Sequence, residues 1–533
     1  MHNNDFLASS RVYLTSCDGI KLEEIENIYF NNQLEKSKTI EIFPKEKKQK
    51  IVGIGGAFTE SSAFVLAHLD KEKRDSVMKS LFSKEGANYS LTRTVIGSCD
   101  FSVNGKYSYS PIKNDLKLEY FSLNVDKDGF NAEKYINIKD EKFDLLPMIK
   151  EAQKIKNKQR DKDLRILASA WTAPPWMKDN QEWYGGKLLS QYESVYADYL
   201  IKYLESYAKE GIDIWGITPV NEPFGNDSSW ESLHFTPESQ NEFIGKYFGP
   251  KLKEAKYDKV KLLINDHNRV ELEKWTDTIY GDKKSSQYVY GAAIHWYEST
   301  FKVYEDILLN VHNKYPEYSI IHTEGCIDNL GNDAPQGVLD KEGYKESGWF
   351  DNDSFWWNEN ATDWAYTATW PGVIIEDHPK YTPIHRYARD IIVSFNNWVS
   401  GWIDWNMVLD KRGGPNHVGN FCGAPIMIDT QTQYVYYTPI YYILAQFSRT
   451  IRPGNYIVHT IMDEDITQNG IYSCASINED GLLSVQILNT NNQAFENVFK
   501  LCIENQMAFL NIPANSLQTI QIPLGLISKN KFK

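Results

Sequence analysis

Residues 212–223 read IDIWGITPVNEP. A β-branched, apolar run extends to Val220, prolines at 219 and 223 end it, and a carboxylate, Glu222, stands at its C-terminal end. A second stretch of the same kind, YSIIHTEG (318–325), ends on Thr323 and Glu324 before a glycine. Outward from these two lie six further runs, separated by segments with helical spacing. They are KIVGIGGA (50–57), LTRTVIG (91–97), LRILASAW (164–171), VKLLIND (260–266), VYGAAIHW (289–296) and WVSGWIDWN (398–406). Eight strands alternating with helices are the pattern of an α/β chain closed into a (β/α)8 TIM barrel, expected here over residues 51–441. Such a barrel builds its site from the C-terminal ends of its strands, where Glu222 and Glu324 fall.

The flanks read differently. Past Tyr442 come short alternating runs, GNYIVHTI, GIYSCASI, LLSVQILN and LQTIQIPL, separated by Asn, Asp and Gly turns. RVYLTSC and KTIEIFP near the start carry the same signal. An antiparallel β-sandwich side domain built from both termini is therefore expected, with residues 1–50 adding strands to 442–533. The longest gap between barrel strands, 331–397, holds Trp349, Phe350, Phe355, Trp356, Trp357, Trp364, Tyr366 and Trp370. These rings either form the insertion's own small core or make a lid that stacks on a ligand.

Composition removes several classes of function. Lys and Arg total 57 against 71 Asp and Glu, a net charge of -14 that repels phosphate backbones, so no nucleic-acid partner is expected. The six cysteines contain no C-x-x-C pair, which excludes a zinc ribbon or a dense disulfide framework and predicts mostly buried thiols. MHNNDFLASSRVYLTSCDG lacks the basic and apolar regions of a secretory signal, and no stretch reaches 18 apolar residues. The expected location is the cytoplasm, or outside the cell by a route without an N-terminal signal. Gly53, Gly55 and Gly56 partly match a dinucleotide fingerprint, but Phe58 stands where its third small residue belongs. No metal or nucleotide cofactor and no obligate protein partner are indicated.

Either Glu alone is weak evidence of chemistry. Strands four and seven, however, face each other across an eight-stranded barrel, so both carboxyls aim into one pocket, and paired carboxylates are what glycoside hydrolysis requires. The motifs GIGGAFTESSA (53–63), SCDFS (98–102), ASAWTAPPWMK (168–178), ITPVNEP (217–223), HWY (295–297), TEGC (323–326), GWIDWN (401–406) and GGPNHVGNF (413–421) occur in order over nearly the whole chain. In these the chain resembles glycoside hydrolase family 30, in the branch of the lysosomal acid β-glucosidases (glucosylceramidases) and their bacterial relatives.

The resemblance implies that Glu222 is the general acid/base and Glu324 the nucleophile of a retaining mechanism. It also implies that Arg93 lies beside the nucleophile, that Tyr297 hydrogen-bonds it, and that Asn221 holds the sugar 2-hydroxyl. His295 shares that pocket, and Asp100, Trp171, Trp405 and Asn420 surround the terminal sugar. An acid must be protonated and a nucleophile ionised, so Glu222 is expected to titrate high and Glu324 to stay charged. The implied activity is release of β-linked glucose from a β-glucoside or glucosylceramide, with transient contact to membrane glycolipid. The 331–397 insertion departs from the lysosomal enzymes and leaves the leaving group open among ceramide, steryl, aryl or alkyl groups and a second sugar in β-1,6 linkage. Within the family the alternatives are a β-1,6-glucanase or a β-xylosidase. From another class the rival is a non-catalytic carbohydrate- or glycolipid-binding barrel.

Overall fold

The computed structural model describes residues 10–30, 38–327, 350–359, 378–463, 466, 469–503 and 506–524. The eight apolar runs form parallel strands that close into a barrel: Gly53–Phe58, Leu91–Ile96, Arg165–Ala170, Gly216–Thr218, Lys261–Asn268, Val289–His295, Ser319–Glu324 and Val399–Asn406. The eighth pairs with both the first and the seventh, which leaves the barrel no edge. Strand four is only three residues long, shorter than the 212–220 run, and Pro219, which can donate no ladder bond, closes its C-terminal end.

Alternation along the strands stacks the interior in layers. Leu91, Leu167, Leu263, Ala293, Ile321 and Ile403 fill the lower interior in a cluster of their own. Two residues further along four of these strands stand Arg93, Ser169, His295 and Thr323, all fully buried and all polar. The barrel is thus apolar at its base and charged beneath its rim. Close strand contacts need glycine at two points. A Cβ on Gly55 would lie 2.1 Å from the Leu91 carbonyl oxygen, and one on Gly291 the same distance from that of Ser319.

Both termini contribute to a second unit, a nine-stranded, mainly antiparallel sheet. Its spatial order is Gln506–Ile512, Phe495–Ile503, Thr39–Lys50, Tyr456–Met462, Ile471–Ile477, Leu482–Asn489, Ser516–Pro523, Arg11–Ser16 and Glu23–Ile25. Alternate residues such as Ile40 and Ile42, Val485 and Ile487, and Ile520 and Ile522 bury one apolar core. The helix Pro439–Thr450 runs across the boundary expected at 441 and joins the two units. Its buried Gln446 accepts from Thr15 Oγ1 (2.7 Å) and donates to Thr519 Oγ1 (2.9 Å) and the Leu517 carbonyl (3.0 Å). Among the described residues no helix is long and apolar enough to cross a membrane.

Candidate active site

Strands four and five end abnormally. Glu222, Asn265 and Asp266 have φ of +44°, +70° and +54°, a left-handed conformation that costs a non-glycine residue on the order of 1–2 kcal/mol. The Glu222 amide donates to the Asp266 carbonyl (2.9 Å) and the Asn221 amide to that of Ala170 (2.7 Å), so neighbouring strand ends hold the bend in place. The bend turns Asn221 and Glu222 toward the barrel mouth. They line a cavity of about 460 Å³ together with Asp100, Trp171, Tyr297, Glu324, Trp405 and Asn420. Every one of the expected site residues is therefore in this wall except Arg93 and His295, which lie fully buried directly beneath it.

Arg93 is the hub of the lower layer. Its guanidinium donates to Glu324 Oε2, to Asn221 Oδ1 (2.6 Å), to Asp266 Oδ2 (2.8 Å) and to Ser169 Oγ (3.1 Å). The Tyr297 hydroxyl donates to the other Glu324 oxygen (3.1 Å). His295 bridges two carboxylates, with Nδ1 3.1 Å from Glu222 Oε1 and Nε2 3.1 Å from Asp266 Oδ1. Trp171 and Trp405 stack at 5.2 Å between centroids with planes 18° apart, and the Arg93 guanidinium lies 4.8 Å from the Trp171 ring centre. Asp100, also in the wall, accepts from Asn416 (2.9 Å) and Asn420 (3.3 Å). Rings flank the cavity while a carboxylate and amides face into it, a combination suited to the apolar face and hydroxyls of a pyranose.

The electrostatics overturn one expectation. Burial opposes ionisation of Glu222, yet the His295 hydrogen bond and the charges of His267, His295 and Arg93 hold its carboxyl below the usual value. Burial pushes Glu324 up, with Glu222 and Asp266 adding to the rise and His295 and Arg93 opposing it. For Glu222 the reason is His295. Burial alone would lower it, but the Glu324 charge and its bonds to Asp266 and Glu222 raise it to about 9. A cation thus sits against Glu222, which residue spacing could not reveal. The two Glu titrate as one coupled set with His295. Asp266 is buried too, but Arg93 and His295 keep it well below the carboxylate range. Asp100 is pushed by burial to about 7. The Glu222 carboxylate and the His267 and His295 ring nitrogens lie within 4.8 Å of one another, close enough to ligate a metal ion, although both His295 nitrogens already face carboxylates.

The glycosyl hydrolase family 30 TIM-barrel domain matches residues 51–367 and 375–451, most of the chain and all eight barrel strands. The chain belongs to glycosyl hydrolase family 30. It is 29% identical to the lysosomal acid glucosylceramidase of Mus musculus, over 84% of this chain and 77% of that one. Among solved structures, SrfJ from Salmonella typhimurium superposes with a TM-score of 0.77 at 25% identity, covering 96% of this chain and 99% of its own. The endo-β-1,6-glucanase BT3312 superposes at 0.74, also at 25% identity, covering 97% and 99%. Membership of family 30 makes the chain a glycoside hydrolase.

In this family 30 barrel the described part of the 331–397 insertion does not reach the cavity. Phe355, Trp356 and Trp357 are buried, and Phe350 packs edge-on against Tyr434 and Tyr436. A Cβ on Gly423 would lie 2.8 Å from the Trp356 ring, which shows how closely that ring is packed beneath the loop after strand eight. For these four rings the packing alternative holds and the lid does not. Trp349, Trp364, Tyr366 and Trp370 lie outside the described residues. The ring of the cavity on the Glu222 side comes instead from Gly225, Asn226, Ser228, Ser229 and Trp230. Asp266, Thr218, Thr323, His267 and this loop are absent from the site residues expected from the sequence. Only Asp266 had a visible signal, an Asn-Asp-His run closing an apolar strand at the catalytic end.

Proposed function

We propose that this family 30 hydrolase is a retaining, exo-acting β-glucosidase of the glucosylceramidase type. Glu324 attacks the anomeric carbon and forms a covalent glucosyl-enzyme, and Glu222 protonates the leaving oxygen and then activates water. The observation that carries this is the division of contacts. Glu324 is fixed by Arg93 and Tyr297 in one orientation, as a nucleophile must be. Glu222 instead shares a hydrogen bond with a raised His295. That hydrogen bond, 3.1 Å between Nδ1 and Oε1, lets imidazole and carboxyl share the proton that the leaving group needs. Asn221, held by Arg93, is the partner for the 2-hydroxyl, and Asp100 with Asn420 receives the outer hydroxyls.

One observation favours a second reading of the aglycone. The loop 225–230 follows the proposed acid and so borders the leaving group, and it presents an amide and two serine hydroxyls beside one indole. That surface suits a second sugar better than a ceramide chain, in keeping with the solved endo-β-1,6-glucanase. Hydrolysis of an aryl β-glucoside followed by NMR tests the mechanism: the first-formed glucose is the β-anomer if configuration is retained, and the α-anomer refutes it. Specificity constants for glucosylceramide, gentiobiose and xylobiose, measured side by side, then decide the leaving group and the glycone.

A further inference from the structure

Cys326 follows Glu324 by two residues, and Cys422 follows Asn420 by two in the loop after strand eight. Both are thiols, both are only 1% exposed, and both line the catalytic cavity. Their sulfurs are 3.5 Å apart. The two backbones are already tied, since the Gly423 amide donates to the Ile327 carbonyl (2.8 Å). Cys326 Sγ also lies 3.4 Å from the Tyr297 hydroxyl, the group that donates to Glu324 Oε1.

We propose that Cys326 and Cys422 form a redox-responsive dithiol in the cavity wall, closed by a peroxide or a small disulfide into an intrachain disulfide that reversibly lowers glycosidase activity. With hydrogen peroxide, the thiolate of one cysteine attacks a peroxide oxygen and becomes a sulfenic acid as water leaves. The second thiolate displaces the sulfenic hydroxyl, releasing a second water, so two thiols and one peroxide give one disulfide and two waters. With a small disulfide, two exchanges release two small thiols. Both cysteines line the cavity, so a small reagent that enters it meets the sulfurs although they are buried from the bulk surface.

The consequence for activity follows from distance. A disulfide bond is about 2.05 Å long, so the sulfurs must close by roughly 1.5 Å. Cys326 then moves relative to the Tyr297 hydroxyl, and Cys422 pulls on the segment that carries Asn420 and its bond to Asp100. Displacements of this order around a reacting centre lower rates by about tenfold or more. The effect on rate rests on the proposed role of Glu324, whereas formation of the bond does not.

The test uses the full chain, oxidised with hydrogen peroxide or oxidised glutathione. Non-reducing peptide mass spectrometry should show the Cys326 and Cys422 peptides joined, with a loss of two hydrogens. The kcat/KM for an aryl β-glucoside should fall about tenfold and return with dithiothreitol. Cys326→Ser and Cys422→Ser should each lose the oxidant-dependent fall, read as the ratio of oxidised to reduced activity in the same variant. Absence of the joined peptides in the oxidised native chain overturns the proposal without recourse to any variant. So does a joined pair with unchanged kcat/KM, or an undiminished oxidant effect in Cys422→Ser. A reduced chain inactive on every β-glucoside refutes the glucosidase reading instead, and the joined peptides with the oxidised-to-reduced ratio of glucose affinity then decide the dithiol.

Discussion

Asp266 sits at the end of strand five, fully buried, and accepts hydrogen bonds from Arg93, Ser169, Thr218, Thr323 and His295. Its side chain touches neither proposed catalytic carboxylate, yet it orients Arg93 and His295, which do. Asp266→Asn keeps the shape and removes the charge. It should lower kcat/KM by roughly tenfold to a hundredfold, the equivalent of losing about 1.5–3 kcal/mol of charged hydrogen bonding. The sign of the pH effect follows from His295: its proton is held partly by Asp266, so the alkaline limb of the rate profile should move to lower pH in the variant. An unchanged limb would show that Asp266 acts on fold alone. At the carboxylates themselves, Glu222→Gln should lose most activity on alkyl, lipid and disaccharide glucosides while keeping more on aryl glucosides whose leaving groups need little protonation. Glu324→Gln should be poor on all of them. Rescue of Glu324→Gly by azide to a product of retained configuration would mean that the two roles are exchanged.

Among the elements, the short helix Asp353–Trp356 is the surviving test of the aromatic insertion. Trp356 is fully buried, with Phe355 edge-on at 5.1 Å. Trp356→Ala should destabilise the chain by about 3–5 kcal/mol, the cost of a large cavity, and lower the melting temperature. The ratio of specificity constants for a lipid or disaccharide substrate against an aryl glucoside should stay constant. A changed ratio at unchanged stability would return the ring to the binding surface. The spacing of Trp356 and Trp357 in the sequence carried no sign of this outcome, because a tryptophan is equally at home in a core and on a sugar. The eight strands were legible for the opposite reason. Each is largely buried on both faces, so each reads as a mostly apolar run without a solvent-facing polar alternation to disguise it.

Across the whole molecule, buried acids give stability a definite slope with pH. Burial raises Glu60 to about 8, Asp100 and Asp126 to about 7, and Asp144 to about 6. Asp126 retains three tyrosine hydroxyls as donors, from Tyr109, Tyr107 and Tyr207, without escaping the cost of burial. A raised acid keeps its proton in the folded chain while the unfolded chain has lost it, so stability falls as pH climbs from about 4.5 through the folded value, at about 1.4 kcal/mol per pH unit per retained proton. His295 works in the same direction. Its raised value stabilises the fold below the unfolded imidazole pKa, and that contribution is lost as pH rises through about 9. Asp266, held low, contributes fully throughout this range and disappears only in stronger acid. The melting temperature should therefore be clearly higher at pH 5 than at pH 8, and equal values would contradict the retention of protons by these buried acids.

What the sequence determined by itself was the alternation of strands and helices, the two-part sheet at the termini, and the two glutamates at the C-terminal ends of two strands. These are local or periodic properties: a hydrophobic run, a period of two, a carboxylate before a turn-forming residue. What only the tertiary structure decided was the company each group keeps. Asp266 and His295 are 29 residues apart, Arg93 and Glu324 are 231 apart, and Cys326 and Cys422 are 96 apart, yet each pair is in contact. Protonation depends on such contacts through the charge and burial around a group, and neither is written in the neighbouring residues. That is why the location of the site could be read from strand ends, while the proton balance between Glu222 and Glu324, and the packing of Trp356, required the closed barrel.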